Sequence, residues 1–316
     1  MTEKKEINIL FLGGAKRVSL ARKVIAAGEK LGVRVNIFSY ELSPEVPVAA
    51  VGKVITGLKW SDPGLMEHLE TVVGQYGIDI MLPFVVPAIE VASLYADTYG
   101  DVWAPVVDPA LADALFDKAE SAKLFASKGI AIPRTYTGGR PRFPLIAKPR
   151  RGSASKGLMI INDVAEFRRV VRMSDYMMES YITNRREYTV DAYISKHGEI
   201  LCVSPRLRIE VLGGEVTRSA TVDYPELKEM AVKAIGELGL RGPVTLQYML
   251  DTDDGSLMLM EINPRLGGGV VCSIHAGADI PRLLLEDFLD MEPTPVPEIK
   301  PGVLICRYFD ETVFNA

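Results

Sequence analysis

Cysteine is scarce in this chain, and its scarcity excludes two classes at once. Cys202, Cys272 and Cys306 are the only three in 316 residues. They are odd in number, far apart and without metal-ligand spacing, which argues against a disulfide framework or a thiolate zinc site. They are expected to be reduced and at least partly buried. Histidine is equally rare: His68, His197 and His275 stand isolated, which disfavours a Ser–His hydrolase. Long apolar runs are missing too, since no uncharged stretch approaches the roughly 20 residues of a membrane span. The opening Met1-Thr-Glu-Lys-Lys-Glu is mixed in charge, and the apolar stretch 7–12 is too short for a secretory signal. A cytoplasmic protein, with no membrane partner, is therefore expected. Nor is there an excess of positive charge: the formal net charge is −5, so no global basic field draws in nucleic acid. A small polyanion would need local cations, and these lie in the middle of the chain.

What is present is an ordinary globular balance, 48% hydrophobic and 24% charged, on a chain long enough for two or three modest domains. The apolar run 7–12, the turn Gly13-Gly14, an amphipathic stretch 17–31 and a second apolar run 33–38 predict one βαβ unit. Gly32 is a natural helix stop before the second strand. The alternation continues with a helix over 64–76, a strand over 79–83, a helix over 87–99 and a short strand over 102–105. The texture changes after Asp108. A helical stretch over 110–129, broken near Phe116, leads to a strand–loop–strand unit at 143–161, a helix over 163–172 and a strand over 176–181. From Glu187 onward long alternating strands enclose one helix, 224–238, and a last strand is expected over 303–308. The fold class is thus α/β followed by α+β.

Three segments carry the candidate chemistry. In the first, Gly242-Pro-Val-Thr-Leu-Gln-Tyr-Met-Leu-Asp and Leu257-Met-Leu-Met-Glu-Ile-Asn-Pro-Arg flank a polar turn ending at Gly255, the pattern of a hairpin. Centring the turn near Asp254 places Gln247 opposite Glu261. Period-two alternation then puts Glu261 and Asn263 on one face, with Met260 and Ile262 on the other. A carboxylate, two amide oxygens and Arg265 converge there. Such hard oxygen donors suit Mg²⁺ on a nucleotide's phosphates; a solvated polar face of an edge hairpin is the alternative.

The second segment is Pro144-Leu-Ile-Ala-Lys-Pro-Arg-Arg-Gly-Ser-Ala-Ser-Lys-Gly. A lysine within an apolar strand needs an anionic partner, so Lys148 should face one. Behind it Gly152, Ser153, Ser155 and Gly157 could wrap a phosphate with backbone N–H groups, and Arg150, Arg151 and Lys156 add charge; a flexible surface turn is the alternative. The third segment, 176–191, sets Glu179 and Glu187 on either side of a polar turn. Backbone near Tyr181 and Ile182 could meet an adenine edge, and Glu187 could accept from ribose hydroxyls, or both glutamates could simply be solvated.

Together, and in their order along the chain, these segments resemble the ATP-grasp superfamily, most closely its carbamoyl-phosphate-synthase-large-subunit-like, carboxylate–amine ligase branch. The most specific part of the resemblance is Glu261-x-Asn263-x-Arg265 with Gln247 upstream. It implies a Rossmann-like pre-ATP-grasp domain over 1–112, a small lid subdomain over 113–182, and a C-terminal subdomain with the metal site over 183–316. It further implies that Lys118 and Lys148 contact the nucleotide, with Ser153, Ser155 and Gly157 in the phosphate loop. Glu179, Tyr181, Ile182 and Glu187 would form the adenosine hinge, Gln247, Glu261 and Asn263 would hold Mg²⁺ (Mn²⁺ being the alternative ion), and Arg265 would stabilise the phosphoryl group in transfer. The activity implied is ATP-dependent phosphorylation of a carboxylate to an acyl phosphate, then coupling to an amine.

Substrate recognition is thinner in the sequence. Arg206, Arg208 and Arg218 lie on strands around Gly213-Gly214, and either bind a substrate carboxylate or form a solvated basic face. Gly267-Gly-Gly, Ser273 and His275 are expected in a flexible loop beside the phosphoryl site. Small-molecule substrates and a homodimer complete the expectation. The rivals are a carbamoyl-phosphate-synthase-type subunit acting on bicarbonate or carbamate, a non-catalytic nucleotide binder, and a Rossmann dehydrogenase. The last is disfavoured because Gly13-Gly-Ala-Lys-Arg-Val lacks Gly-x-Gly-x-x-Gly.

Overall fold

A computed structural model of the chain describes residues 6–152 and 156–314. The first unit is the strand-and-helix alternation expected from periodicity: β1 (Glu6–Leu12), α1 (Val18–Lys30), β2 (Arg34–Glu41), β3 (Lys53–Thr56), α2 (Leu65–Tyr76), β4 (Ile80–Pro83) and α3 (Val86–Tyr99). The strands form a parallel sheet in the order β3-β2-β1-β4. Ile7, Ile9 and Phe11 pack towards α1, whereas Leu10 and Leu12 pack towards α2 and α3. Burial on both faces explains the unbroken apolar run of β1. The strand expected over 102–105 is instead a single parallel bridge between Trp103 and Ile80. Pro105, with no N–H to donate, cannot extend it.

Two short helices follow, α4 (Pro109–Phe116) and α5 (Lys118–Ser127). The break between them is capped, because the Asp117 side chain accepts from the backbone N–H groups of Ala119 and Glu120. Next come β5 (Leu145–Pro149), β6 (Met159–Ile161), α6 (Val164–Val170) and β7 (Tyr176–Ser180), whose strands make a small antiparallel sheet, β6-β5-β7.

The remaining elements are β8 (Arg185–Ile194), β9 (Ile200–Leu212), β10 (Glu215–Thr221), α7 (Pro225–Leu238), β11 (Gly242–Asp251), β12 (Leu257–Asn263), α8 (Val270–His275), α9 (Ile280–Phe288) and β13 (Leu304–Cys306). The strands build a six-stranded antiparallel sheet in the order β12-β11-β8-β9-β10-β13. The glycine-rich stretch after Arg265 corrects the expectation of a flexible loop. Val270–His275 is the helix α8, and Ser273 is fully buried within it.

One feature of the core fixes the site. The α1 face of the parallel sheet is covered by residues from the far end of the chain: Leu266, Val270, Leu283 and Leu284 pack into the same cluster as Ile9, Leu20 and Val24. Burying leucines of this kind contributes about 1.5–3 kcal/mol each, so the glycine loop after β12 is pinned against the start of α1. Cys202 and Cys272 are buried as expected, but Cys306 is exposed on the edge strand β13. Among the described residues no helix is long and apolar enough to cross a membrane.

Candidate active site

A cleft opens between the three-stranded and six-stranded sheets. Lys118, Lys148, Glu179, Gln247 and Glu261 line its polar end, and Ile146, Leu158, Met249 and Met260 its apolar walls. Lys148 sits on the central strand of the small sheet, opposite Met177, and forms an ion pair with Glu179 of β7. Both side chains are nearly buried, which is where the anionic partner required by the apolar strand is found. Burial pushes the Glu179 carboxyl up from the usual range, against the pull of Lys148 and Lys118. Lys118 opens α5 and donates to the Gly152 carbonyl at 2.7 Å. Burial lowers its pKa despite the nearby Glu261, and Lys148 lowers it further. Two lysines crowded into a half-dry site favour an incoming anion.

The hairpin supplies the other wall. Gln247 pairs directly with Glu261, as the turn position predicts, but a bulge follows: Tyr248 pairs with Leu259, leaving Met260 as the extra residue. The alternation expected to send Met260 to the opposite face therefore fails, because a bulge breaks the two-residue period. Met260 lines the cleft beside Glu261. The amide of Asn263 donates to the Glu261 carboxylate at 2.6 Å, which orients that carboxylate and leaves the Asn263 oxygen as an acceptor. Arg265 is half-buried next to this group. Burial, with Arg17 adding to it, pulls its pKa down to about 10 against Glu261 and Glu215. Its Nε has no partner among the described residues.

The loop behind β5 divides. Ser153 and Ser155 lie outside the described residues. Gly157 takes a positive φ of 74°, and Lys156 lines the cleft. Arg150 and Arg151, counted in the sequence as added phosphate-binding charge, are instead engaged elsewhere. Arg150 pairs with Asp117 at 2.6 Å, and Arg151 pairs with Asp113 at 2.5 Å and Glu90 at 3.5 Å. Carboxylates on α3, α4 and the start of α5 hold them and tie the loop down.

At the hinge, Tyr181 and Ile182 line the cleft. The Tyr181 N–H donates to the Pro144 carbonyl at 3.1 Å, and the Ile182 carbonyl accepts from Arg185 at 2.8 Å. Glu187 stands at the rim between Arg185 at 3.4 Å and Arg208 at 3.5 Å.

The four expected substrate residues separate. Arg206 is a buried structural cation rather than a free one. Its Nε donates to Asp191 at 2.7 Å, and its Nη1 to Ser219 at 3.3 Å. Asp191 also accepts from Ser273 at 2.8 Å. A Cβ on Gly269 would lie 2.7 Å from Arg206 Nη1, and one on Gly267 2.8 Å from the Thr245 hydroxyl, so the network reserves both positions for glycine. Arg208 does line the cleft, on the same face of β9 as Arg206, and its buried Nε reaches only Glu187, at 3.5 Å. Burial, with Arg206 adding to it, lowers its pKa against Glu187 and Glu261. Arg218 and His275 are exposed and do not line the cleft. An alternating strand near the site does not by itself say which face meets the ligand.

Two arginines that the sequence reading passed over stand near Arg265. Arg17 caps the start of α1, and its guanidinium lies 3.5 Å from Glu215; Arg307 lies 2.8 Å from the same carboxylate. The only available sequence signal for Arg17 was its place just after the Gly13-Gly14 turn, at the mouth of a parallel sheet, where ligands commonly bind.

Residues 172–309 match the family described as ATP-grasp in the biosynthetic pathway with Ter operon. The D-alanine–D-alanine ligase of Fusobacterium nucleatum is 27% identical over 206 residues, covering 57% of this chain and 70% of that one. The mitochondrial methylcrotonoyl-CoA carboxylase subunit alpha of Oryza sativa is 22% identical over 180 residues, covering 48% of this chain but only 24% of that one. The chain thus spans about a quarter of that relative's length. Biotin carboxylase from Campylobacter jejuni, solved as a β,γ-ATP complex, superposes with a TM-score of 0.74 at 15% identity, over 95% of this chain and 75% of that one. Residues 172–309 thus resemble the ATP-grasp family, and the chain as a whole shares the fold of biotin carboxylase.

Proposed function

We propose that the chain is an ATP-dependent carboxylate–amine ligase. A substrate carboxylate oxygen takes the terminal phosphoryl group of ATP, giving an acyl phosphate and ADP. An amine nitrogen then attacks the acyl carbon, phosphate leaves, and loss of the amine proton completes the amide. The observation that supports this most is the convergence, in one cleft, of Lys118, Lys148, Gln247 and Glu261, with Asn263 bonded to the Glu261 carboxylate behind it.

The donor set suits Mg²⁺, or Mn²⁺, carried in with a nucleotide. One carboxylate and the two amide oxygens of Gln247 and Asn263 are all hard donors, but they are few. Among the described residues no three of His, Cys, Asp and Glu gather into a metal site. Mg²⁺ is commonly held by one or two carboxylates plus substrate phosphates, so Gln247, Glu261 and Asn263 would hold it there. Once bound, it neutralises phosphate charge. The protein's own groups do the rest. Lys118 and Lys148 hold the phosphates, the Met249–Met260 wall and Ile146 enclose the base, and the Tyr181 carbonyl and Ile182 N–H meet its edge. Glu187 takes the ribose, and Arg265 stabilises charge on the phosphoryl group in transfer.

In this proposal residues 1–112 face the substrate, 113–182 close over the nucleotide and 183–316 carry the metal ligands. The D-alanine–D-alanine ligase likeness favours amino acids or peptides as substrates, joined by a cytoplasmic homodimer. The test is phosphate release from Mg-ATP with pools of amino acids, dipeptides and bicarbonate. Release that depends on one pool and is lost in Glu261→Ala supports the ligase; release dependent on bicarbonate alone would replace it with a carboxyl-phosphate-forming enzyme.

A further inference from the structure

The cluster around Glu215 is not explained by nucleotide binding. Arg17 comes from the start of α1, Arg265 from the end of β12, and Arg307 from the end of β13; these three cations surround one carboxylate. Glu215 accepts from Arg307 at 2.8 Å and lies 3.5 Å from Arg17. Burial opposes ionisation of Glu215, but Arg17, Arg307 and Lys16 outweigh it and hold the carboxyl below its usual range. The carboxylate is therefore already charged, and as a single charge it cannot balance both Arg17 and Arg307. The cluster's hydrogen-bonding capacity is unbalanced as well. Nη1 of Arg17 and Nε of Arg265 are both buried without a partner among the described residues. A buried N–H left unpaired costs about 1–3 kcal/mol, more in a charged group, so a ligand acceptor is the natural completion.

The loop facing these groups presents backbone only. A Cβ on Gly268 would stand 3.0 Å from Nη1 of Arg17 and 3.7 Å from Nη1 of Arg307. Any side chain at 268 would crowd both guanidinium groups. Arg265 connects the two regions, interacting with Glu261 on the nucleotide side and with Arg17 and Glu215 on the other.

We propose that Arg17 and Arg307 bind a second anionic group on the acid that is activated, so that the substrate is a dianion: a dicarboxylic acid or an acid bearing a phosphate. This rests on the ligase reading, because Arg265 is taken to serve the carboxylate undergoing phosphorylation. Glu215 holds the two arginines in place and is a positioning residue. It also competes with the ligand for them.

The experiment is calorimetric titration with four probes: succinate, O-phosphoserine, and the matched controls butyrate and serine, each with a single anionic group. Each is run with and without saturating Mg-ADP, on wild type, Arg17→Met, Arg17→Lys, Arg307→Met and Glu215→Gln. The proposal expects at least one dianion to bind tenfold or more tightly than its matched control. That preference should vanish in Arg17→Met and Arg307→Met, return partly in Arg17→Lys, and grow several-fold in Glu215→Gln. Preference for succinate or for O-phosphoserine tells a second carboxylate from a phosphate. Equal binding of dianions and controls, or a preference that survives both methionine variants, would overturn it. Failure of the wild type to bind Mg-ADP would sink the nucleotide reading instead, and the titrations without nucleotide still judge the anion site.

Discussion

Arg206 of β9 and Asp191 of β8 form an ion pair at 2.7 Å with both side chains almost wholly buried. Around it Ser273 donates to Asp191, and Arg206 Nη1 abuts Gly269. The pair ties α8 and the glycine loop to the six-stranded sheet, and so sets where Arg265 stands. Desolvating two charges costs more than a surface pair would return, but removing one partner leaves the other stranded. Asp191→Ala is expected to destabilise the fold by about 3–5 kcal/mol, read as a lower urea midpoint. Replacing both residues by apolar ones of similar size should recover much of that loss.

Lys148 and Glu179 make a second buried pair, inside the cleft rather than behind it. Lys148→Met removes the proposed phosphate contact and leaves Glu179 without its ion-pair partner. Nucleotide binding should weaken tenfold or more, a loss of about 1.4 kcal/mol at least. Equilibrium binding of a fluorescent ATP analogue checks this; unchanged affinity would place the phosphates elsewhere.

The proposed metal ligands make a prediction about order. Gln247, Glu261 and Asn263 bring a single negative charge, so Mn²⁺ used as a paramagnetic probe should bind the protein weakly alone and much more tightly with ATP present. Glu261→Gln should abolish the ATP-dependent binding. Tight Mn²⁺ binding without nucleotide would contradict the assignment of these three residues.

The Glu215 cluster has a pH signature. The folded protein holds this carboxyl below the usual range, and an unfolded chain does not. Its stabilising contribution is therefore fully present above the ordinary carboxylate pKa of about 4.3. It is lost as pH falls through the depressed folded value. Urea midpoints for wild type and Glu215→Gln should differ at pH 6 and converge only once the pH has fallen below the depressed folded value. The side chain is about two-fifths exposed, so solvent screening keeps the difference modest.

Much of the fold was legible because its periods are simple. The buried run of β1, the Gly32 stop and the turn near Asp254 each specify local geometry, and the Gln247–Glu261 pairing follows from counting outward from that turn. β3 was not legible, because only Ile55 of its four residues is buried, too little for a pattern. The bulge at Met260 escaped because alternation assumes an unbroken ladder. Arg206 was read as a candidate ligand contact because sequence does not reveal that Asp191, fifteen residues earlier, sits beside it on the neighbouring strand. Arg17 and Arg307 escaped for a broader reason: they meet only because the last helices pack against α1.

The most direct test of the central claim is Mg²⁺-dependent ATP binding followed by carboxylate-dependent phosphate release, in wild type and Glu261→Ala. The ligase account predicts that wild type binds Mg-ATP and releases phosphate only when an acid substrate is supplied, and that the variant does not release it. A wild type that fails to bind Mg-ATP, or an undiminished Glu261→Ala, would contradict it.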